Sequence, residues 1–394
     1  MQLSEKTNHF ISLENKYGAH NYDPLPVVLS RGEGPLVWDV DGKQYFDFLS
    51  AYSAVNQGHC HPKIVGAITE QSKTLALTSR AFYNDKLGQY EKFACNFFGY
   101  EKLLPMNTGA EAVETALKIC RRWAYEKKGI DENEADIIVC ENNFHGRTTT
   151  IISFSNDPVA RKNFGPYTKG FVKIAYDDLD ALEEELKSNK NVAGFLVEPI
   201  QGEAGVYVPS EGYLSKAKEL CEKYNVLFIA DEVQTGIGRT GRILACDHEE
   251  VRPDLLVLGK ALSGGAYPVS AVLADDDIMK VIIPGSHGST FGGNPLACAA
   301  GLKSLELLSH KKLLASVTEK GNWLMERLKG FQEKYDSILD VRGRGLMLGV
   351  EFDRPARPLA DYLLKEHNIL CNVTSETVLR LLPALVITRE ELEV

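Results

Sequence analysis

The sequence predicts an α/β protein with a large domain on a mostly parallel sheet and a smaller α+β domain after it. Three observations predict it. Short apolar runs recur between residues 136 and 274, separated by amphipathic helical stretches, as expected of strands buried on both faces. After Asn294 a long helical stretch gives way to short alternating strands and helices. The length, 394 residues, is enough for two domains and a sizeable core.

In chain order, residues 8–20 read as a short helix closed by a Gly-containing turn. Residues 34–49 read as a hairpin, with Leu36, Val37 and Trp38 before a DVDGK turn and 45–49 after it. Helical periodicity marks 62–72 (Ile64, Ala67, Ile68, Gln71) and 110–126, whose stripe is Val113, Ala116, Leu117, Cys120 and Ala124. Strands follow at 137–140, 193–197, 226–230, 255–258 and 269–274, with a helix at 213–224. A helix over 295–330 breaks near His310. VRGRGLMLGVEF then reads as one strand, 358–367 as a helix and 378–382 as a strand. The expected division is 1–52, joining the small domain, 53–290 as the large domain and 291–394 as the small one.

The net charge of −10 disfavours a non-specific nucleic-acid binder, which needs clustered positive charge. Small anionic substrates stay open, because one or two pocket arginines do not register in a net charge. No run reaches the roughly 18 apolar residues of a membrane span. MQLSEKTNHF lacks the positive n-region and apolar h-region of a signal peptide. The eight cysteines are at least 20 residues apart, which excludes CxxC and common zinc spacings. They read as reduced thiols of a cytoplasmic protein.

In an open α/β sheet, ligands bind beyond the carboxyl ends of the strands. That rule selects Glu198, Asp231 with Glu232, and Lys260. Each could be an ordinary loop charge. Lys260, however, stands between Gly259 and Ala261 in an apolar, glycine-rich stretch, where burial lowers a lysine pKa and yields a nucleophilic amine. A pyridine cofactor on such a lysine needs an anion near its ring nitrogen, and Asp231 is the candidate. NTGAE at 107–111 opens a helix. Gly109 and Ala110 could offer N–H groups to a phosphate, or Thr108 and Glu111 could simply form a capping box. Ser289 and Thr290, in GSTFGGNP, read as phosphate ligands or as a structural turn. His145 and Phe144 could cover a ring, or His145 could serve a turn. His59 and His61 in GHCHP read as structural, and no metal is expected. Dinucleotide and P-loop motifs are absent from the sequence.

Six segments together resemble the class III aminotransferases of the fold-type I pyridoxal-phosphate enzymes. They are NTGAEAVETALK (107–118), NNFHGRT (142–148), VEPIQGEAG (197–205), LFIADEVQTGIGRTG (227–241), VLGKALSGG (257–265) and GSTFGGNPLA (288–297). The resemblance runs from about residue 17 to 389. YGAHNYDPLPVVL (17–29) and FLSAYSAVNQGHCHP (48–62) are similar to the ornithine-type branch. Its acetylornithine and 4-aminobutyrate relatives hold other residues at the positions of Tyr22 and Tyr52.

The resemblance implies a seven-stranded sheet, pyridoxal 5′-phosphate as cofactor and a homodimer. Lys260 would bind the cofactor covalently and carry the proton, Asp231 would pair with the ring nitrogen, and Gln234 would bond the ring hydroxyl. Phe144 and Val233 would flank the ring, and Gly109, Ala110 and Ser289 would hold the phosphate. Thr290 would reach the neighbouring subunit's cofactor. Tyr22 and Arg147 would hold the α-carboxylate of L-ornithine, Tyr52 would shape the pocket, and Glu203 and Arg380 would form a switchable ion pair. The implied reaction passes the δ-amino group of ornithine to 2-oxoglutarate. It gives glutamate and glutamate 5-semialdehyde, which cyclises to 1-pyrroline-5-carboxylate. Acetylornithine or succinylornithine transamination is the alternative. The sequence departs from the group by ending at Val394, where members continue with a further helix. It also has RLLP at 380–383, where an aromatic residue or threonine often follows the arginine.

Overall fold

A computed structural model describes residues 3–393. Three sheets organise the chain. The first contains β1 (Leu29–Glu33), β2 (Leu36–Asp39) and β3 (Gln44–Asp47), with β13 (Ile369–Leu370) pairing in parallel on β3. The second contains β4 (Lys102–Met106), β5 (Asp136–Cys140), β6 (Phe171–Ile174), β7 (Val192–Val197), β8 (Leu227–Asp231), β9 (Leu255–Leu258) and β10 (Ser270–Ala274). The third contains β11 (Ile338–Arg344), β12 (Met347–Phe352), β14 (Asn372–Thr374) and β15 (Val378–Leu381).

The seven-stranded sheet has the order β4-β10-β9-β8-β7-β5-β6, and β10 alone runs against the others. Every residue of β7, β8 and β9 is buried, because helices cover both faces. This is why these strands read as unbroken apolar runs. On one face lies the helix Gly109–Trp123, which presents Val113, Ala116, Leu117 and Cys120 to β5, β7 and β9. A reciprocal capping box of Thr108 and Glu111 starts it. The close approach depends on Gly194 in β7, where an added Cβ would lie 2.6 Å from Cys120 Sγ. On the other face, Leu256, Leu258, Ala271 and Leu273 pack against the helices Leu87–Phe98 and Pro295–Leu308. Pro295–Leu308, beyond the expected boundary at residue 290, therefore buries its apolar side chains with the large sheet.

The structure corrects one expected element. VRGRGLMLGVEF is not a single strand: β11 and β12 form an antiparallel hairpin with Gly345 at the turn, at φ +57°. The apolar pattern runs through the turn because Leu346 is fully buried. The sequence reading also passed over β4, β6 and the helices Leu87–Phe98 and Leu179–Ser188. β4 contains a proline, and β6 is only partly buried, so neither resembles a buried strand. The RLLP segment begins inside β15, within the strand expected over 378–382.

Candidate active site

The strands β4, β9, β8, β7 and β5 all end on the same edge of the large sheet, so the residues that follow them converge. Gly109 and Ala110, Phe144 and His145, Glu198, Asp231 with Val233 and Gln234, and Lys260 line one cavity, together with Glu203. Seven of the nine expected cofactor residues are thereby brought together.

Lys260 opens a short 3-10 turn directly after β9 with φ +43°, a left-handed conformation unusual for a residue with a side chain. Burial lowers its pKa, partly offset by the carboxylate of Glu203. Val233 leaves little space beside the helix start: a Cβ on Gly109 would lie 2.9 Å from its Cγ1. Gly202 leaves room for Gln234, whose Oε1 would lie 1.7 Å from an added Cβ.

Asp231 is buried, accepts the Val233 N–H at 3.0 Å and bonds His145 Nδ1 at 2.6 Å. Burial presses the His145 pKa down, but the bond to Asp231 and the charges of Asp231 and Glu198 outweigh it, and the net shift is upward. Glu198, also buried, accepts the Phe144 N–H at 2.8 Å, and burial moves its carboxyl up to about 7. The sequence alone assigns neither residue a definite role. The strand-end rule had marked Glu198, whereas His145 carried no signal separating it from a turn histidine. Glu232 faces away: it accepts the N–H groups of Ala245 (3.0 Å) and Cys246 (2.8 Å) and serves the fold.

Arg380, in β15, is fully buried and donates to Glu203 Oε1 (2.7 Å) and Oε2 (3.2 Å) and to Asn372 Oδ1 (2.7 Å). Burial raises the pKa of Glu203, but the charge of Arg380 and its hydrogen bond hold the carboxyl below the ordinary range. The Arg380 guanidinium lies 5.6 Å from the centre of the Tyr52 ring. Burial raises the Tyr52 pKa, reinforced by the charges of Glu203 and Tyr22 and opposed by those of Arg380 and Arg147. Arg147 also lies 5.9 Å from the Phe144 ring centre. Tyr22 is largely exposed. Ser289 accepts from Asn107 Nδ2 at 2.9 Å, which ties its loop to the start of the helix Gly109–Trp123. Thr290 is exposed and outside the cavity lining.

Residues 17–394 match the family Aminotransferase class-III. The chain belongs to the class-III aminotransferases. It is 55% identical over 380 residues to an ornithine aminotransferase, mitochondrial, of Drosophila melanogaster, covering 96% of this chain and 88% of that one. An ornithine aminotransferase structure from Toxoplasma gondii, described with partial occupancy of PLP at its active site, superposes with a TM-score of 0.96 at 49% identity. That match covers 98% of this chain and 91% of the other. A structure named acetylornithine aminotransferase, from Elizabethkingia anophelis, has a TM-score of 0.91 at 60% identity and covers 99% and 97%.

Class-III aminotransferases use pyridoxal 5′-phosphate, and the cavity of this class-III chain fits that group. A partly buried lysine shares the cavity with a buried carboxylate, and the glycine-opened helix start offers backbone N–H groups. Among the described residues no helix is long and apolar enough to cross a membrane.

Proposed function

We propose that this chain transfers the δ-amino group of L-ornithine to 2-oxoglutarate, giving glutamate and glutamate 5-semialdehyde. One observation carries the reading beyond the family: Glu203 lines the cavity that holds Lys260 and is ion-paired there to the fully buried Arg380 behind it. Two substrates must use that cavity in turn. Ornithine reacts through the end that bears no carboxylate, whereas glutamate and 2-oxoglutarate bring an α-carboxylate to the reacting carbon. A free arginine there would draw the α-carboxylate end of ornithine to the wrong place. Glu203 cancels that attraction while ornithine reacts, then releases Arg380 to the diacid. Tyr22 and Arg147 hold the α-carboxylate of ornithine, and Tyr52 closes the space between them and Arg380.

Pyridoxal phosphate, when bound, supplies the electron sink. Gly109 and Ala110 would hold its phosphate, with Ser289 supporting the helix start and Thr290 serving the cofactor of a second subunit in a homodimer. Phe144 and Val233 would flank the ring. Asp231, held by His145, would keep its nitrogen protonated, and Gln234 would bond its hydroxyl. Lys260, once free, takes the proton from the substrate carbon and returns it. The pairing of β3 with β13 supports joining residues 1–52 to the small domain, whereas the packing of Pro295–Leu308 on the large sheet favours a start for that domain after Leu308 rather than at 291. All eight cysteines are unpaired, which suits a reducing compartment such as the cytoplasm.

The name of the 60%-identical structure favours a second reading, N-acetylornithine as donor. Measured kcat/KM for ornithine, N-acetylornithine and 4-aminobutyrate separates the two. Ornithine should lead, and Tyr22→Phe with Tyr52→Ile should reduce that lead at least tenfold. A wild-type preference for N-acetylornithine would refute the proposal.

A further inference from the structure

Tyr52 sits in an unusual piece of backbone. Ser50, Ala51, Tyr52 and Ser53 all have positive φ, at 45°, 47°, 61° and 71°. Together they form one left-handed turn without a glycine, a conformation that side-chain-bearing residues adopt singly and seldom in series. Such a turn persists only where its surroundings impose it. At its start, Asp47 Oδ1 accepts the N–H groups of Leu49 (2.9 Å) and Ser50 (2.8 Å). At its end stands Arg239, from the loop after β8.

The Arg239 side chain is fully buried, and among the described residues no carboxylate bonds it. Nε donates to Ser53 Oγ (2.9 Å) and Nη2 to Asn56 Oδ1 (2.6 Å). Nη1 donates to the carbonyls of Leu346 (2.8 Å) and Pro383 (2.6 Å). Asn56 returns an N–H to Ile237 O at 2.9 Å, which fixes its amide orientation and closes the network on the loop that holds Arg239. Burial lowers the guanidinium pKa to about 9. A buried charge bonded to neutral oxygens alone is costly, and an apolar side chain would fill the space at less expense. Its four acceptors come from three separate parts of the chain: the turn with Tyr52, the β11–β12 hairpin, and the segment leaving β15, three residues after Arg380.

We propose that Arg239 is a positioning residue for donor selection, holding the left-handed turn that carries Tyr52 in register with the strand that carries Arg380. The proposal rests on the reading of Tyr52 as part of the donor pocket. A lysine at this position keeps the charge but presents its donors from one point, so it cannot span these acceptors.

The test compares Arg239→Lys, the double variant Ser53→Ala/Asn56→Ala, and Tyr52→Ala as the reference. For each, the ratio of kcat/KM for ornithine to that for 4-aminobutyrate is measured, with the melting temperature alongside. Arg239→Lys should lower the ratio at least tenfold. The double variant should lower it severalfold in the same direction, and it alone decides the matter if Arg239→Lys does not fold. A double variant with a lowered melting temperature and a wild-type ratio would make Arg239 a purely structural bond and overturn the proposal. If Tyr52→Ala shifts the ratio and the double variant does not, only the role of Arg239 falls. If Tyr52→Ala leaves the ratio unchanged, the reading of Tyr52 falls and takes this proposal with it.

Discussion

Replacing Glu203 by alanine separates the two demands on the pocket. The substitution removes both carboxylate contacts to Arg380, at 2.7 and 3.2 Å, and leaves a fully buried guanidinium with Asn372 Oδ1 at 2.7 Å and Gln234 Oε1 at 3.4 Å. Breaking a buried ion pair typically costs about 3–5 kcal/mol. The lower end, about 3 kcal/mol or less, applies here, because two oxygens remain and the Glu203 side chain is 27% exposed. The freed donors then meet a substrate carboxylate. A charge-assisted hydrogen bond contributes roughly 1.5–3 kcal/mol, and about 1.4 kcal/mol is a factor of ten in rate. Reaction at the α-amino group of ornithine and of glutamate should therefore rise roughly ten- to a hundredfold relative to δ-transfer. Stopped-flow half-reactions with each donor, with product analysis for the α-keto acid of ornithine, measure the ratio. The pH dependence offers a second check. The Glu203 pKa is depressed in the folded protein, so the stabilisation it brings is present above the ordinary carboxylate pKa. It is lost as pH falls through the lowered value. The alanine variant should lack that acid-side contribution. An α-to-δ ratio that stays at the wild-type value would refute the switch.

Lys260→Ala should abolish turnover and keep the fold. Borohydride reduction of the cofactor-loaded wild type followed by peptide mapping should label Lys260, and a label on another lysine sinks the assignment. Asp231→Asn should fold and lose at least a hundredfold in kcat, since it removes the anion that also holds His145 at 2.6 Å; single-turnover rates near wild type would remove Asp231 from its role. Gly202→Ala should weaken cofactor retention about tenfold or more, because the new methyl group would occupy the position of Gln234 Oε1. Equilibrium dialysis measures it, and wild-type affinity would show that Gln234 is dispensable.

Much of the site was legible because it lies at the ends of apolar strands. Glu198, Asp231 and Lys260 each follow a run with no polar residue, and an open sheet places such residues side by side. Thr108 and Glu111 announced the helix start through their spacing, and both halves of the capping box formed. Local pattern was enough in these cases because the signal and the structure occupy the same few residues. It failed for VRGRGLMLGVEF, where Leu346 is apolar because other parts of the chain bury it, not because it continues a strand.

What the sequence by itself determined is the α/β class, the order of the principal elements and the family to which the residues belong. The tertiary structure decided which side chains meet. Glu203 and Arg380 are 177 positions apart, His145 and Asp231 are 86 apart, and Arg239 and Ser53 are 186 apart. No periodicity reaches across such distances. These contacts arise only when sheet order and buried volume bring the segments together, and each is held by a charge or hydrogen bond that burial makes costly to leave unpaired.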